Sequence, residues 1–148
     1  NQDVLGFVFE VGRKGLLLPF YLSKIRFSNL KRLHQELLNS GLIENCEFRH
    51  FSSNFIDTDP LDLTVNELIE RHKNATPIIW TGKKNALAYF LSELHKKLED
   101  QNLGKYVVAV GLILIKHEKG YDLTNLDGSN NPVTAKMGNK INLILSAF

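Results

Sequence analysis

Apolar residues recur at helical spacing in two separate stretches of this chain. In the first stretch, Leu30, Leu33 and Leu37 lie three and four residues apart, as they would on one face of an α-helix. The second stretch repeats this spacing with Leu87, Phe90 and Leu94. A short segment containing isoleucine and an aromatic residue precedes each stretch, at 25–27 and at 78–80. The pattern predicts two pseudo-repeats, at about residues 24–56 and 78–116, each with an extended segment followed by an amphipathic helix.

The first unit has the outline of a helix-turn-helix. Ser28 or Asn29 can cap its helix, and Gly41 follows where a left-handed residue commonly ends a helix. Phenylalanines then recur at spacings of three and four within residues 46–55 and predict a second helix. A helix, a glycine-containing turn and another helix form a helix-turn-helix outline.

The remaining pattern predicts short elements of both kinds. Residues 4–11 and 78–80 are rich in β-branched and aromatic residues and predict strands. Thr64 and Glu67 match a capping box, so a short helix is expected over 64–71. Residues 104–116 fit either a strand or a helix, and we favour a helix because a helix follows the first repeat.

The predicted helix of the second unit runs from Lys83 or Lys84 to about Asp100, and Thr81 can cap it. Together the elements predict one domain over residues 1–148, of the α+β class and mostly helical, with two helix-turn-helix-like pseudo-repeats and a few short strands. A winged-helix-like arrangement fits these elements, and so does an unrelated helical pair around a small sheet. A chain of 148 residues is long enough to fold as one domain.

The composition limits where the protein is expected to function. The single cysteine, Cys46, cannot form an internal disulfide, which favours a reducing compartment and a cytoplasmic location. Glu44 and Glu47 flank it and oppose thiolate formation. The longest apolar run, residues 106–115, is about half of what a membrane span needs, so no membrane association is expected. No signal peptide is evident, and a start at Asn1 suits an excised domain or a processed product.

The charge pattern is more informative than the net charge of +2. Residues 24–32 carry four basic residues and no acidic one, whereas residues 36–70 carry eight acidic residues and one arginine. Basic residues return at Lys83 and Lys84. Basic charge is therefore concentrated where each repeated helix begins, and acidic charge lies between the two units.

These basic positions are the candidate nucleic-acid-binding residues: Lys31, Arg32, Lys83 and Lys84. Lysine and arginine neutralise backbone phosphates, which dominate the affinity of proteins for DNA. A lysine at a helix N-terminus is mildly unfavourable with the helix dipole, and this favours a functional reason for its position. The turn before Lys83 and Lys84 could also bring backbone amides near a phosphate. The alternative is that this turn has only a structural role, in which Thr81 caps the helix, Gly82 permits the turn and Trp80 packs in the core.

The sequence lacks the motifs of the common enzyme and metal-binding classes. It contains no Gly-x-Ser-x-Gly, no Gly-x-Gly-x-x-Gly and no Walker motif. Cys46 and His50 lie four residues apart, but two ligands do not make a zinc site. We therefore expect no catalytic residues, no metal and no cofactor.

One segment is similar to a known family. Ile79-Trp80-Thr81-Gly82, followed by the apolar stripe of the second helix, resembles a pattern in RteC-type regulatory proteins of bacterial conjugative transposons. The likeness extends over about Leu30 to Leu98, and after it the chain departs from the family at Leu98-Glu99-Asp100. The resemblance implies a helix-turn-helix-like DNA-binding region and a role in controlling transfer genes of mobile elements.

We therefore expect a non-enzymatic regulatory or accessory domain of a bacterial mobile-element type protein that contacts DNA. One alternative is a protein–protein interaction module whose repeated helices hold another chain. Another is a fragment of a larger enzyme. Positive potential across both units would favour DNA, an exposed apolar patch would favour a protein partner, and a deep pocket with converging polar groups would favour an enzyme.

Overall fold

The computed structural model describes residues 20–59, 62–64, 66, 67, 70, 76–99, 115–117 and 133–148. The fold of these residues is α+β and mostly helical with a few short strands, which confirms the predicted class. In chain order the elements are β1 (Phe20–Tyr21), α1 (Lys24–Ser28), α2 (Leu30–Asn39), α3 (Phe48–Ser52), β2 (Phe55–Ile56), β3 (Ile78–Trp80), α4 (Lys84–His95), β4 (Ile115–His117) and α5 (Ala135–Ser146). The strand predicted at 4–11 lies outside the described residues.

The strands form two small parallel pairs. β1 pairs with β2, with Phe20 opposite Phe55, and β3 pairs with β4, with Ile78 opposite Ile115. The segment after α2 also joins β3, through an antiparallel bridge between Ile43 and Trp80. β3 therefore connects the end of the first helical unit to the start of the second.

The apolar stripes of α2 and α4 meet in one core, as their spacing predicts. Trp80 is fully buried there, and its ring centroid lies 5.2 Å from that of Phe90. α5 completes this core with Ile141, Ile144 and Leu145. Nowhere in the described part of the chain is a helix long and apolar enough to span a membrane.

The structure corrects the predicted start of the first unit. Residues 25–27 belong to helix α1 and are not extended. The reason is local, because the Ser23 hydroxyl accepts a hydrogen bond from the Arg26 amide at 3.2 Å and caps α1. Asn29 is the N-cap residue of α2, but its side chain makes no capping hydrogen bond.

Three other predicted helices differ from the observed elements. The helix predicted within 46–55 is shorter, since α3 ends at Ser52 and Phe55 lies in β2. α4 ends at His95, before the predicted end near Asp100. The helix favoured over 104–116 is wrong at its C-terminal end, because residues 115 and 116 form a strand that pairs with β3. Residues 104–114 lie outside the described residues. The capping box is confirmed, because the Glu67 amide donates to the Thr64 hydroxyl at 3.1 Å and a Glu67 carboxylate oxygen lies 3.2 Å from that hydroxyl.

Candidate anion-binding cleft

The turn that ends α2 forms one wall of a cleft. Gly41 has a φ of +70°, the left-handed conformation that glycine adopts without a steric penalty. The Gly41 amide donates to the Leu38 carbonyl at 3.1 Å, and the Leu42 amide donates to the Leu37 carbonyl at 3.3 Å. These two bonds make a Schellman motif, which fixes the direction of the chain as it leaves the helix.

The turn between β3 and α4 is held against this helix end. The Thr81 amide donates to the Leu42 carbonyl at 2.9 Å, and the Thr81 hydroxyl donates to the Gly41 carbonyl at 3.0 Å. The Trp80 indole N–H donates to the Lys83 carbonyl at 3.1 Å. Thr81 therefore does not cap α4 as predicted, because its hydroxyl is directed at the preceding turn, and the N-cap residue is Lys83.

Gly82 allows this close packing. A Cβ atom at this position would lie 2.8 Å from Nε1 of Trp80 and 2.9 Å from Cδ2 of Leu42. Both distances are too short for a Cβ atom. Glycine permits this turn, as predicted, because a side chain at position 82 would collide with Trp80 and Leu42. The predicted burial of Trp80 in the core is confirmed as well.

The first turns of α5 form the third wall. Thr134 caps this helix by accepting a hydrogen bond from the Met137 amide at 3.2 Å. Nζ of Lys140 donates to the Ser40 carbonyl at 3.2 Å and so links α5 to the end of α2. The Tyr89 hydroxyl donates to Oδ1 of Asn142 at 2.7 Å and links α4 to α5.

The three walls enclose a cleft of about 580 Å³. Residues 40–42 and 81–86 line it, together with Val133, Thr134, Met137 and Lys140. Lysines reach it from two of the three segments, and none of the described lining residues carries a carboxylate. α4 and α5 both begin beside it, and the N-terminal ends of helix dipoles add partial positive charge. The cleft therefore suits an anion.

The structure separates the four predicted nucleic-acid-binding residues into two groups. Lys83 and Lys84 are exposed and line the cleft. Lys31 and Arg32 are exposed in the first turn of α2, at the end opposite Ser40. At about 1.5 Å of helix rise per residue, the two ends lie about 12–14 Å apart. Lys140, which the sequence pattern does not predict as a site residue, lines the same cleft from α5.

Cys46 and the neighbouring His34 are not among the residues that line the cleft. Nε2 of His34 lies 2.9 Å from the Cys46 carbonyl oxygen and 3.7 Å from Sγ of Cys46. Burial, and to a smaller extent the Glu44 carboxylate, raises the pKa of the Cys46 thiol, so the thiolate is disfavoured as the flanking acids predict. No cluster of three histidine, cysteine, aspartate or glutamate side chains suited to a metal ion occurs among the residues that the structure describes.

Comparisons with known proteins found no match to a family model, a curated protein or a solved structure. The cleft and the exposed surface beside it are therefore the features of this protein that bear on its function. Ammonium groups and helix N-termini can bind phosphate or carboxylate groups through charge-assisted hydrogen bonds. The groups that line the cleft are therefore of the kind that bind phosphate or carboxylate.

Proposed function

We propose that this chain is a non-enzymatic regulatory or accessory domain that contacts the phosphate backbone of duplex DNA. The observation that carries the proposal is the position of exposed basic residues at both ends of α2, with Lys31 and Arg32 at one end and Lys83 and Lys84 at the other. The bacterial mobile-element setting rests on the resemblance of residues 79–82 and the following helix to RteC-type proteins.

The length of α2 is close to the width of the major groove of duplex DNA. The ends of α2 lie about 12–14 Å apart, and the major groove is about 12 Å wide between its phosphate rows. The exposed face between them carries Gln35 and Asn39, whose side chains are joined by a hydrogen bond of 3.4 Å. A polar helix face with cations at both ends can approach a groove while lysine and arginine contact the phosphates on either side.

A salt-dependent titration tests this proposal. Fluorescence anisotropy of a labelled duplex would be measured over a salt series with the wild type, Lys83→Glu/Lys84→Glu and Lys31→Glu/Arg32→Glu. If all four residues contact phosphates, the slope of log K against log salt is about −3.6, and each double variant makes it shallower by about 2. A single pair that carries all of the salt dependence would contradict contacts at both ends.

A matched control separates specific contacts from net charge. Lys96→Glu/Lys97→Glu makes the same charge change at the other end of α4, about 18 Å from Lys84 by helix rise. We expect this variant to keep most of the wild-type affinity and slope. No binding at low salt, or an equal loss in the control, would contradict the proposal.

A protein-interaction module is the second candidate, because some large apolar side chains are exposed. Ile25 on α1 is 76% exposed and Leu143 on α5 is 74% exposed. Neither is needed to fill the core, so both are available to a partner. Affinity purification with the wild type, Ile25→Ser and Leu143→Ser tests this candidate. A protein that the wild type retains and both variants lose would favour it over DNA contact.

A further inference from the structure

We infer that the cleft formed by residues 40–42, residues 81–86 and the first turns of α5 binds a phosphate monoester. The monoester can be the 5′-phosphate at the end of a nucleic-acid strand or that of a free mononucleotide, because both present the same chemistry. This inference goes beyond the proposed backbone contact. It rests on that proposal only where the ligand is the end of a DNA strand.

The shape of the cleft favours a terminal phosphate over one within a duplex. A volume of about 580 Å³ falls within the range of about 300–1,000 Å³ that is typical of small-ligand pockets. The exposed Lys83 and Lys84 can contact an internal phosphodiester from outside the cleft, but the sugars on both sides of that phosphate hinder its entry into the cleft. A monoester is attached on one side only and can enter with its three free oxygens first.

The charge of the cleft matches a monoester as well. Lys83 and Lys84 line the cleft from the start of α4, and Lys140 lines it from α5. Near neutral pH a phosphate monoester carries a charge of about −1.5 to −2 and offers three strong acceptor oxygens. A phosphodiester carries one charge, so it would be attracted less strongly by the lysines of the cleft.

Two hydrogen bonds restrain Lys140 and the Lys83 backbone beside the cleft. Lys140 donates to the Ser40 carbonyl, and an ammonium has three N–H donors, so this bond leaves two. The Lys83 backbone is held by the indole N–H of Trp80, which fixes the start of α4 at the edge of the cleft. These contacts restrain the Lys140 side chain and the Lys83 backbone before any ligand arrives, which lowers the entropy lost on binding.

The cleft also has room and an apolar wall for the group attached to the phosphate. Leu42, Ala86, Val133 and Met137 line it beside the lysines. Small-ligand sites commonly combine an apolar lining with a few polar groups that fix orientation. A nucleobase or a similar flat group suits this wall, so a mononucleotide is the simplest complete ligand.

The first arm of the test uses a free mononucleotide. Isothermal titration calorimetry would compare adenosine 5′-monophosphate with adenosine, which lacks the phosphate. We expect binding of the monophosphate at least about tenfold tighter than that of adenosine, a difference typical of a lost charge-assisted contact. We expect Lys83→Gln/Lys84→Gln/Lys140→Gln to remove the preference. The control Lys24→Gln/Lys96→Gln/Lys97→Gln makes the same charge change outside the cleft and should keep it.

The second arm uses two duplexes that differ only in a 5′-phosphate or a 5′-hydroxyl. Tighter binding of the phosphorylated duplex, lost in the cleft variant, identifies a strand end as the ligand. Monophosphate binding without this difference identifies a free nucleotide. The inference is overturned if neither arm shows a phosphate preference, or if the cleft variant keeps it.

A duplex closed by hairpins at both ends reports on the proposed function alone, because it has no terminal phosphate. If this duplex binds and neither arm shows a phosphate preference, the proposed function stands and the inference fails. If it does not bind while the monophosphate does, the proposed function fails and the inference stands.

Discussion

The two units that share a leucine spacing have equivalent helices but different segments before them. The apolar stripes of α2 and α4 are both buried, with every member at most 1% exposed: Leu30, Leu33, Leu37, Leu87, Phe90 and Leu94. The preceding isoleucines differ sharply. Ile25 lies in α1 and is 76% exposed, whereas Ile78 lies in β3 and is 2% exposed. A repeated apolar spacing therefore predicts a shared helix face and does not predict the structure next to it.

Local residues account for this difference. Ser23 caps the first turn of α1, so residues 24–28 become helical. Pro77 precedes β3 and disfavours helical backbone at the residue before it, and Ile78 and Ile79 are β-branched residues that favour strands. A cap in one unit and a proline in the other override the similarity of the two segments.

The largest expected effect concerns the buried apolar helix faces that the two units share. Phe90→Ala should lower the free energy of unfolding by about 3–5 kcal/mol and Leu33→Ala by about 2–5 kcal/mol, because each leaves a cavity in the common core. Urea unfolding would be followed by far-UV circular dichroism and by the emission of Trp80, the single tryptophan. The exposed Ser92→Ala is the control, with a change within about 0.5 kcal/mol. A loss below about 1 kcal/mol at either core position would show that the two stripes are not equivalent.

The next prediction concerns the segments before the two helices, which differ between the units. Ile78→Ala should lower the free energy of unfolding by about 2–5 kcal/mol, because the side chain is buried in β3. Ile25→Ala should change it by less than about 0.5 kcal/mol, because that side chain is largely exposed. The same urea titrations compare the two variants. Equal effects would mean that residues 25 and 78 have equivalent environments, against the structure.

The sequence predicts the core helices of this fold well because their periodicity is strong. The buried faces of α2 and α4, the turn at Gly41 and the capping box at Thr64 all follow from local patterns. The lengths of α3 and α4 and the strand at 115–117 do not. The end of α3 and this strand depend on tertiary pairing, since Phe55 pairs with Phe20 and β4 pairs with β3, in each case far away along the chain.

Only part of the candidate site can be predicted from the sequence, because some of its residues come together through tertiary packing. Lys83 and Lys84 are adjacent in sequence and follow a turn, so their clustering is evident without a structure. Lys140 reaches the same cleft from α5. It donates to the Ser40 carbonyl, and no local pattern connects these two residues, which lie 100 positions apart. The separation of Lys31 and Arg32 from the cleft also depends on how α2 packs, which spacing along the chain does not reveal.

A smaller effect is expected from the way the two helices end. The turn that follows α2 contains Gly41, which has a positive φ. Among the residues that the structure describes, no residue other than glycine has a positive φ, and this includes the residues at the end of α4. Gly41→Ala should lower the free energy of unfolding by about 1–2 kcal/mol, because a Cβ disfavours this conformation. Gly138→Ala is the matched control within α5, where the added Cβ meets Val133 at an ordinary 3.5 Å. It should raise stability by about 0.5–1 kcal/mol, and the same sign for both variants would contradict the assigned role of Gly41.

The smallest expected effect concerns the way the helices begin. α1 has a serine cap, whereas the cap position of α4 is Lys83, whose side chain makes no capping hydrogen bond. Ser23→Ala should therefore lower the free energy of unfolding by about 1 kcal/mol, and Lys83→Asp should raise it by about 0.5–1 kcal/mol. Thermal and urea unfolding of both variants would measure the two opposite shifts.

The same lysine variant connects stability with function. If Lys83 is present for phosphate contact, Lys83→Asp should stabilise the domain and weaken its binding to duplex DNA, which is the expected trade-off at a binding position. Lys83→Ser separates the two contributions, because it supplies a cap without adding a negative charge. We expect it to keep most of the gain in stability and to lose less affinity than Lys83→Asp. A stabilised Lys83→Asp domain with unchanged affinity would mean that this cleft residue does not contact phosphate.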